Sequence, residues 1–290
     1  METDQKNILV TGASGQLGKV FQYLAPDYPQ LNFLFTDKPS LDIGNEQSLI
    51  AFFTQHQVKY CINCAAYTAV DRAEREQEQA FAINDNAVGF LAKICHQHEV
   101  SLFHISTDYV FDGTKPGGYL ETEPTGPVNV YGASKLAGEN AALALHDKLI
   151  IIRTSWLYAK EGHNFVNSMI RLMKEKQAIN VVNDQIGSPT YANDLAAAII
   201  HIILNYPDPT PGIYHYSNSG SCSWYEFAVE IKSICGLTAT IAPIAAASYP
   251  TPAKRPAFSI LKTEKIQHGF HISIPHWKES LANCLDNREL

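Results

Sequence analysis

The stretch "NILVTGASGQLGKVFQYL", residues 7–24, decides how the rest of the chain is read. Ile8, Leu9 and Val10 are apolar without alternation, as in a strand covered on both faces. Gly12, Gly15 and Gly18 follow at three-residue spacing, and "GQLGKVFQYL" then carries apolar residues at helical intervals. Strand, Gly-rich turn and helix in that order are what a dinucleotide site needs. Gly12 allows the tight turn, Gly15 lets backbone approach a pyrophosphate, and Gly18 lets the helix pack close to the sheet. The phosphates would sit on the free N–H groups and positive end of a helix starting near Gln16. Such a turn also closes ordinary α/β units. Its place at the chain's first strand–helix unit carries the argument.

Outward from that loop, apolar runs alternate with helical patterns. "LNFLFTD", "VKYCINCAA", "VSLFHIST" and "KLIIIRTSW" read as strands. "NEQSLIAFFTQH", with an Asn cap signal, the long "EQEQAFAINDNAVGFLAKICHQH" and "YGASKLAGENAALAL" read as helices. Five strands alternating with four helices predict an α/β fold, a Rossmann-type doubly wound parallel sheet with helices on both faces. After Trp156 the pattern is mixed and Pro-rich. We read residues 1–156 as a dinucleotide-binding domain, completed by about 187–206. Residues 157–290 then form a smaller, discontinuous, mixed α/β substrate-binding cap.

The net charge of −7, with Lys and Arg scattered, argues against nucleic acid or an anionic membrane as partner. The longest apolar run, Leu195–Leu204, is too short to span a bilayer. "METDQKNILV" carries no secretory pattern, so a cytoplasmic location is expected. Cys61 and Cys64 form a CxxC, but a strand puts them on opposite faces, which suits neither a metal nor a disulfide. His96 with His98, and His268 with His271, lack a third ligand nearby in sequence, so no metal is assigned.

Ligands of a doubly wound sheet bind at the C-terminal ends of its strands. Asp37 closes the second strand, about 20 residues beyond the loop, where an acid accepts from adenosine ribose hydroxyls. Lys38 beside it could instead meet a 2′-phosphate, so NADH and NADPH both stay open. Asp42 and Ile43 could flank the adenine, although an Asp in a turn is more often a turn residue. After the third strand, Ala65 and Ala66 are small enough to lie against a cofactor. "STDY" closes the fourth strand with Ser106, Thr107 and Asp108, which could equally be a capped turn. The next helix carries Tyr131 and Lys135 one turn apart on one face. With 14 Tyr and 16 Lys, that spacing is expected roughly 0.8 times by chance, so position gives the pair its meaning.

In this order and at these separations, Gly12-x-x-Gly15-x-x-Gly18, Ala65-Ala66, Ser106-Thr107-Asp108 and Tyr131-x-x-x-Lys135 resemble the extended short-chain dehydrogenase/reductases. "STDYVFDG", "NVYGASKLAGE", "RTSWLYA", "VVNDQIGSPT" and "YPTPAKRPAFSILKTEK" are similar to what the dTDP-4-dehydrorhamnose reductases carry, and the likeness covers essentially the whole chain. It implies hydride transfer from NADPH or NADH to the C4 ketone of dTDP-4-dehydro-β-L-rhamnose, the last step of dTDP-rhamnose biosynthesis. Tyr131 would donate the proton. Lys135 would lower the phenol's pKa and bind the nicotinamide ribose, and Thr107 would hydrogen-bond the ketone. Gln16, Leu17 and Tyr67 join the cofactor residues. Asp108 would meet a sugar hydroxyl and Trp156 the sugar ring. Asn183 or Gln185 would line the mouth of the site, and Arg255 would pair with the diphosphate. The resemblance also allows a homodimer with a Mg²⁺ site of C-terminal acids, for which Asp286 and Glu289 are available; the sequence does not require one.

Three rivals remain at this point. A 4,6-dehydratase of this fold needs a Glu after the Asp, and here Asp108 is followed by Tyr109. A nucleotide-sugar 4-epimerase, or a 4-reductase acting on another sugar, shares the loop and the Tyr/Lys pair. A non-catalytic regulatory subunit would keep the fold alone.

Overall fold

The structure is a computed structural model that describes residues 6–286. Residues 1–5 of the N-terminal segment read against a secretory signal, and Glu289 of the C-terminal acids, lie outside the described residues. Six parallel strands form the central sheet: β1 (Lys6–Thr11), β2 (Leu31–Phe35), β3 (Val58–Asn63), β4 (Ser101–Thr107), β5 (Leu149–Thr154) and β6 (Gly212–His215). Their order is β6-β5-β4-β3-β1-β2. The order reverses at β1, so a crevice opens beyond the C-terminal ends of β1 and β3. β6 lies just beyond the 187–206 segment with which the sequence reading completed the sheet. Four residues are too few for a period to show.

Both faces of the sheet are covered, as the unbroken apolar runs require. Ile8, Val10, Ile62, Phe103 and Ile152 point to one face, against Leu17 and Phe21 of helix α1 (Gln16–Leu24). Leu195 and Ile199 of "TYANDLAAAIIHIILN", helical over Ala192–Asn205, join them. Leu9, Cys61, Leu102 and Ile151 point to the other face, against Leu49 of α2 (Glu46–Gln55), Leu91 of α3 (Ala87–Gln97) and Ala142 of α4 (Val130–Leu145). Neighbouring residues of one strand thus serve opposite cores, and each such side chain contributes roughly 1.5–3 kcal/mol by burial. Cys61 and Cys64 divide the same way, and neither is in a disulfide.

The long helix predicted over residues 76–98 is interrupted. Gln77–Phe81 passes into a π-turn at Ala82–Asn86 before α3 begins. The buried Asn84 of that turn accepts from the Tyr67 backbone N–H at 2.8 Å. It donates to the Tyr67 carbonyl at 3.0 Å and to Ser134 Oγ at 3.0 Å. Gly138 of α4 faces it so closely that a Cβ would stand 1.9 Å from the Asn84 carbonyl oxygen.

α4 is docked by charge. Glu139, 1% exposed, accepts from Arg153 of β5 at 2.6 and 2.9 Å and also receives the Ser106 hydroxyl of β4. Beyond the sheet, helices Phe165–Glu175 and Trp224–Ile234 pack with the paired strands Ala178–Val182 and Thr240–Ile244 around a separate core of Val166, Met169, Phe227, Ile231 and Trp277.

A buried ion pair that loses one member leaves the other charge uncompensated, at a cost of about 3–5 kcal/mol. Glu139→Ala should lower unfolding free energy by about that amount in urea titration, whereas Glu139→Leu combined with Arg153→Met should recover most of it. A single variant as stable as wild type would contradict the docking role.

Candidate active site

The crevice beyond β1 and β3 holds a cavity of 560 Å³. Gly12, Gly15, Asp37, Lys38, Asp42, Ile43, Ala65 and Ala66 line it together. Gly12 has φ +64°, and a Cβ there would lie 2.6 Å from the Ala65 backbone nitrogen. One close backbone approach therefore explains both the glycine and the small residue opposite it. At Gly18 a Cβ would meet Ala13 and the Gly12 carbonyl at 2.5 Å, which is helix packing against the turn. Gly15 caps α1 without a side-chain hydrogen bond, and the first turn carries no acid. Its leading N–H groups are thus left for an anion.

Gln16 and Leu17 are not among the residues that line the cavity. The Gln16 side chain instead donates to the Leu157 carbonyl at 3.0 Å and accepts from Asn164 at 2.9 Å, and Leu17 is core. The Tyr67 side chain lies outside the cavity and donates to Glu76 at 2.6 Å. The Asp37 carboxylate holds its own turn through the Ser40 hydroxyl at 2.9 Å. Ile83, Asn86 and Phe90 supply a wall that the sequence reading missed, because the inner face of an amphipathic helix gives no sign of what it faces.

At the end of β4, Thr107 approaches Tyr131 from the first turn of α4, close enough that its hydroxyl favours the ionised phenol. Asn129 caps α4 by accepting from the Gly132 N–H at 2.8 Å and donates to the Lys254 carbonyl at 2.8 Å. Gly132 has no room for a side chain, since its Cβ would stand 2.1 Å from the Tyr109 carbonyl oxygen. Asp108 is 3% exposed. One of its oxygens accepts from Thr107 at 2.9 Å, and the other is buried without a partner. Burial pushes its carboxyl up to about 7, against the pull of the Thr107 hydroxyl.

Lys135 does not act on Tyr131 as its spacing predicts. Its Nζ turns to the Ile105 carbonyl at 2.8 Å and lies 3.3 Å from His104 Nε2. Burial pushes the Tyr131 phenol up to about 12, opposed by the Thr107 hydroxyl and reinforced by Asp108. Burial also brings Lys135 down to about 8. A fixed donor settles the groups behind it. The Ala65 N–H meets Asn63 Oδ1 at 3.2 Å, and so does the Thr11 hydroxyl at 2.7 Å. Asn63 Nδ2 therefore donates to His104 Nδ1, at 3.0 Å. Burial holds His104 well below its usual pKa, so it is neutral and carries its proton on Nε2, facing Lys135. His104, Asn63 and Thr11 were not singled out in the sequence. Polar residues inside apolar strands were the available signal.

On the cap side a second cavity, of 790 Å³, is lined by Tyr109, Phe165, Gln185, Trp224, Tyr249 and Arg255 among others. Arg255 reaches it while forked onto Asp71 at 3.0 and 3.2 Å, which holds the Asp71 carboxyl below its usual range. Trp156 is not on this wall. Its φ of +47° turns the ring onto Trp224, centroids 3.4 Å apart, and Gly187 fits only because a Cβ would meet that indole at 2.5 Å. Asn183 is likewise set back, accepting from the Ser223 hydroxyl at 2.8 Å.

The chain matches the family described as RmlD substrate binding domain over residues 6–290. It is 41% identical over 285 residues to a dTDP-4-dehydrorhamnose reductase from Aggregatibacter actinomycetemcomitans, covering 95% of this chain and 97% of that one. It is 40% identical over 283 residues to the spore coat polysaccharide biosynthesis protein SpsK of Bacillus subtilis (strain 168), covering 97% of each. The solved dTDP-4-dehydrorhamnose reductase from Bacillus anthracis str. Ames, in complex with NADP, superposes with a TM-score of 0.92 at 40% identity, covering 98% of this chain and 100% of that one.

The raised Asp108 carboxyl has a signed consequence. Its folded pKa lies above the unfolded value, so the folded state binds the extra proton and stability falls as pH rises from about 4 to 7. Asp108→Asn should stabilise the protein more at pH 8 than at pH 4.5, by about 3 kcal/mol, with a correspondingly larger rise in melting midpoint. Equal shifts at both pH values in calorimetry would rule the raised pKa out.

Proposed function

This chain belongs to the dTDP-4-dehydrorhamnose reductase family, and on that premise we propose that it reduces the C4 ketone of dTDP-4-dehydro-β-L-rhamnose to dTDP-β-L-rhamnose with a reduced nicotinamide dinucleotide. The observation that carries the reading is the approach of Thr107 and Tyr131 at the end of β4, with Lys135 one turn on beside Cys64, which lines the same cavity as the Gly-rich turn. The residues present fit the dinucleotide. The start of α1, without a side-chain cap, receives the pyrophosphate, the side-chain-free Gly12 lets it approach, and Asp37 and Lys38 stand where ribose hydroxyls or a 2′-phosphate would lie. When bound, the reduced nicotinamide supplies the hydride.

The protein's own part is the proton and the geometry. Thr107 turns its single hydroxyl hydrogen from Asp108 to the ketone oxygen, and Tyr131 gives its proton as charge develops there. A phenol held at about 12 remains fully protonated at neutral pH and is still a far stronger acid than the sugar alcohol it forms. Its raised pKa therefore suits a proton donor in the reducing direction. Lys135 fixes the ribose edge from the floor of the site. The unpartnered oxygen of Asp108 accepts a sugar hydroxyl, and Arg255 with Gln185 holds the diphosphate end in the larger cavity. Trp156 acts behind Trp224, which presents the ring. Residues 1–156 with about 187–206 then serve the dinucleotide and residues 157–290 the sugar nucleotide. The reading completes the site within one chain and needs neither nucleic acid nor a membrane. Among the described residues no helix is long and apolar enough to cross one. Reduced thiols such as Cys61 and Cys64, and soluble nucleotide substrates, suit the cytoplasm.

Mixing the protein with dTDP-4-dehydrorhamnose should consume NADPH or NADH in proportion to sugar reduced, followed by absorbance. A 4-epimerase would need no added cofactor, and a regulatory subunit would consume none. Tyr131→Phe should lower kcat by about 10²–10⁴ with little change in KM. Lys135 loses its charge as pH rises through about 8, so kcat/KM should fall above that pH and be flat below it. A profile flat to pH 10 would remove the ammonium from the reading.

A further inference from the structure

The sequence leaves His96 without a third ligand; the fold supplies two from 50 residues away. His96 sits in the last turn of α3, His146 caps the C-terminal end of α4, and Asp147 follows it. Nδ1 of His96 lies 3.2 Å from an Asp147 carboxylate oxygen, and Nδ1 of His146 lies 3.8 Å from the same oxygen. All three donor atoms fall within 4.8 Å of one another.

His146 distinguishes this cluster from an ordinary surface ion pair. Its side chain has no exposed area. Its Nε2–H donates to the Val100 carbonyl at 2.8 Å, so the lone pair is on Nδ1, which is buried without a hydrogen-bond partner. An imidazole whose far N–H is tied to a carbonyl, leaving a bare nitrogen on the near side, is the arrangement that metal-bound histidines adopt. We propose that His96, His146 and Asp147 form a site for one divalent metal ion of the Zn²⁺ and Ni²⁺ class, with water completing the shell.

Metal–ligand distances of 2.0–2.2 Å place tetrahedral ligands about 3.3 Å apart. The edge between His96 and Asp147 already has that length, and the 3.8 Å edge between His146 and Asp147 must shorten. The exposed His96 and Asp147 can swing, while the buried His146 is the fixed point. The negative ends of α3 and α4 add to the carboxylate in favouring a cation, and Lys148 opposes it. Two imidazoles and one carboxylate select zinc, nickel or copper over magnesium or calcium. The cluster stands beside Val100, at the start of β4, at the opposite end of that strand from Thr107. An ion there clamps α3 to α4 without touching the reaction.

The untagged full chain, freed of metal by chelator, would be titrated with Zn²⁺ and with Ni²⁺ in a calorimeter at pH 7.5. One ion per chain should bind and raise the melting midpoint. His96→Ala and Asp147→Asn, both at exposed positions, should each weaken binding at least tenfold, abolish the thermal shift and leave turnover unchanged. His146→Gln should do the same to binding if it folds. Failure of wild type to bind either ion, or equal binding by the His96→Ala and Asp147→Asn variants, would overturn the site.

Discussion

The docking of α4 onto the sheet by the buried Glu139–Arg153 pair is the constraint on which the candidate site depends. α4 delivers Tyr131 and Lys135, and β4 delivers Thr107. They meet only if the helix is held at one rotation and one height above the strands. Apolar packing alone specifies neither well, because small residues such as Ala142 slide against a flat sheet. The fork of Arg153 onto Glu139, with the Ser106 hydroxyl on the same carboxylate, is directional and ties α4 to β4 and β5 together. Desolvating such a pair is expensive, and an apolar pair of similar volume would hold the fold as well. Positioning is what the charged version adds.

Glycines set the height. Gly132 rests against the Tyr109 carbonyl and Gly138 against the Asn84 carbonyl, each with less space than a methyl group needs. The first fixes the turn that bears Tyr131, and the second brings the π-turn of residues 82–86 beside Ser134. The same logic governs the nucleotide side, where Gly12 meets Ala65 backbone to backbone. In each place the absence of a Cβ brings two main chains to a distance that no side chain would allow.

These contacts explain how much the sequence could reveal. The sheet, its two covered faces and the glycine turn were legible because they are local: unbroken apolar strands and a turn that needs Gly. The spacing of Tyr131 and Lys135 was legible for the same reason. Its electrostatics were not, since they depend on burial and on the Ile105 carbonyl and His104, which belong to another strand. The position of Trp156 at a strand end pointed to the site, but a left-handed backbone turned its ring onto Trp224. His146 and Asp147 could not be joined to His96 by any local pattern. Directions of side chains and partners across the sheet are what a single sequence withholds.

The π-turn carries a different implication, for how this chain aligns with others. A helix that takes one residue more than an α-turn allows shifts the phase of everything after it by about 100°. The apolar rhythm of residues 77–81 and that of 87–97 are therefore out of step, and Asn84 occupies the seam. A related chain one residue shorter here would run smoothly as an α-helix, and its Asn would point elsewhere. The Tyr67 backbone, now closed by that amide on both its N–H and its carbonyl, would need another partner. A one-residue gap in this helix thus marks a rewired wall of the cofactor cavity, even where every named site residue is retained.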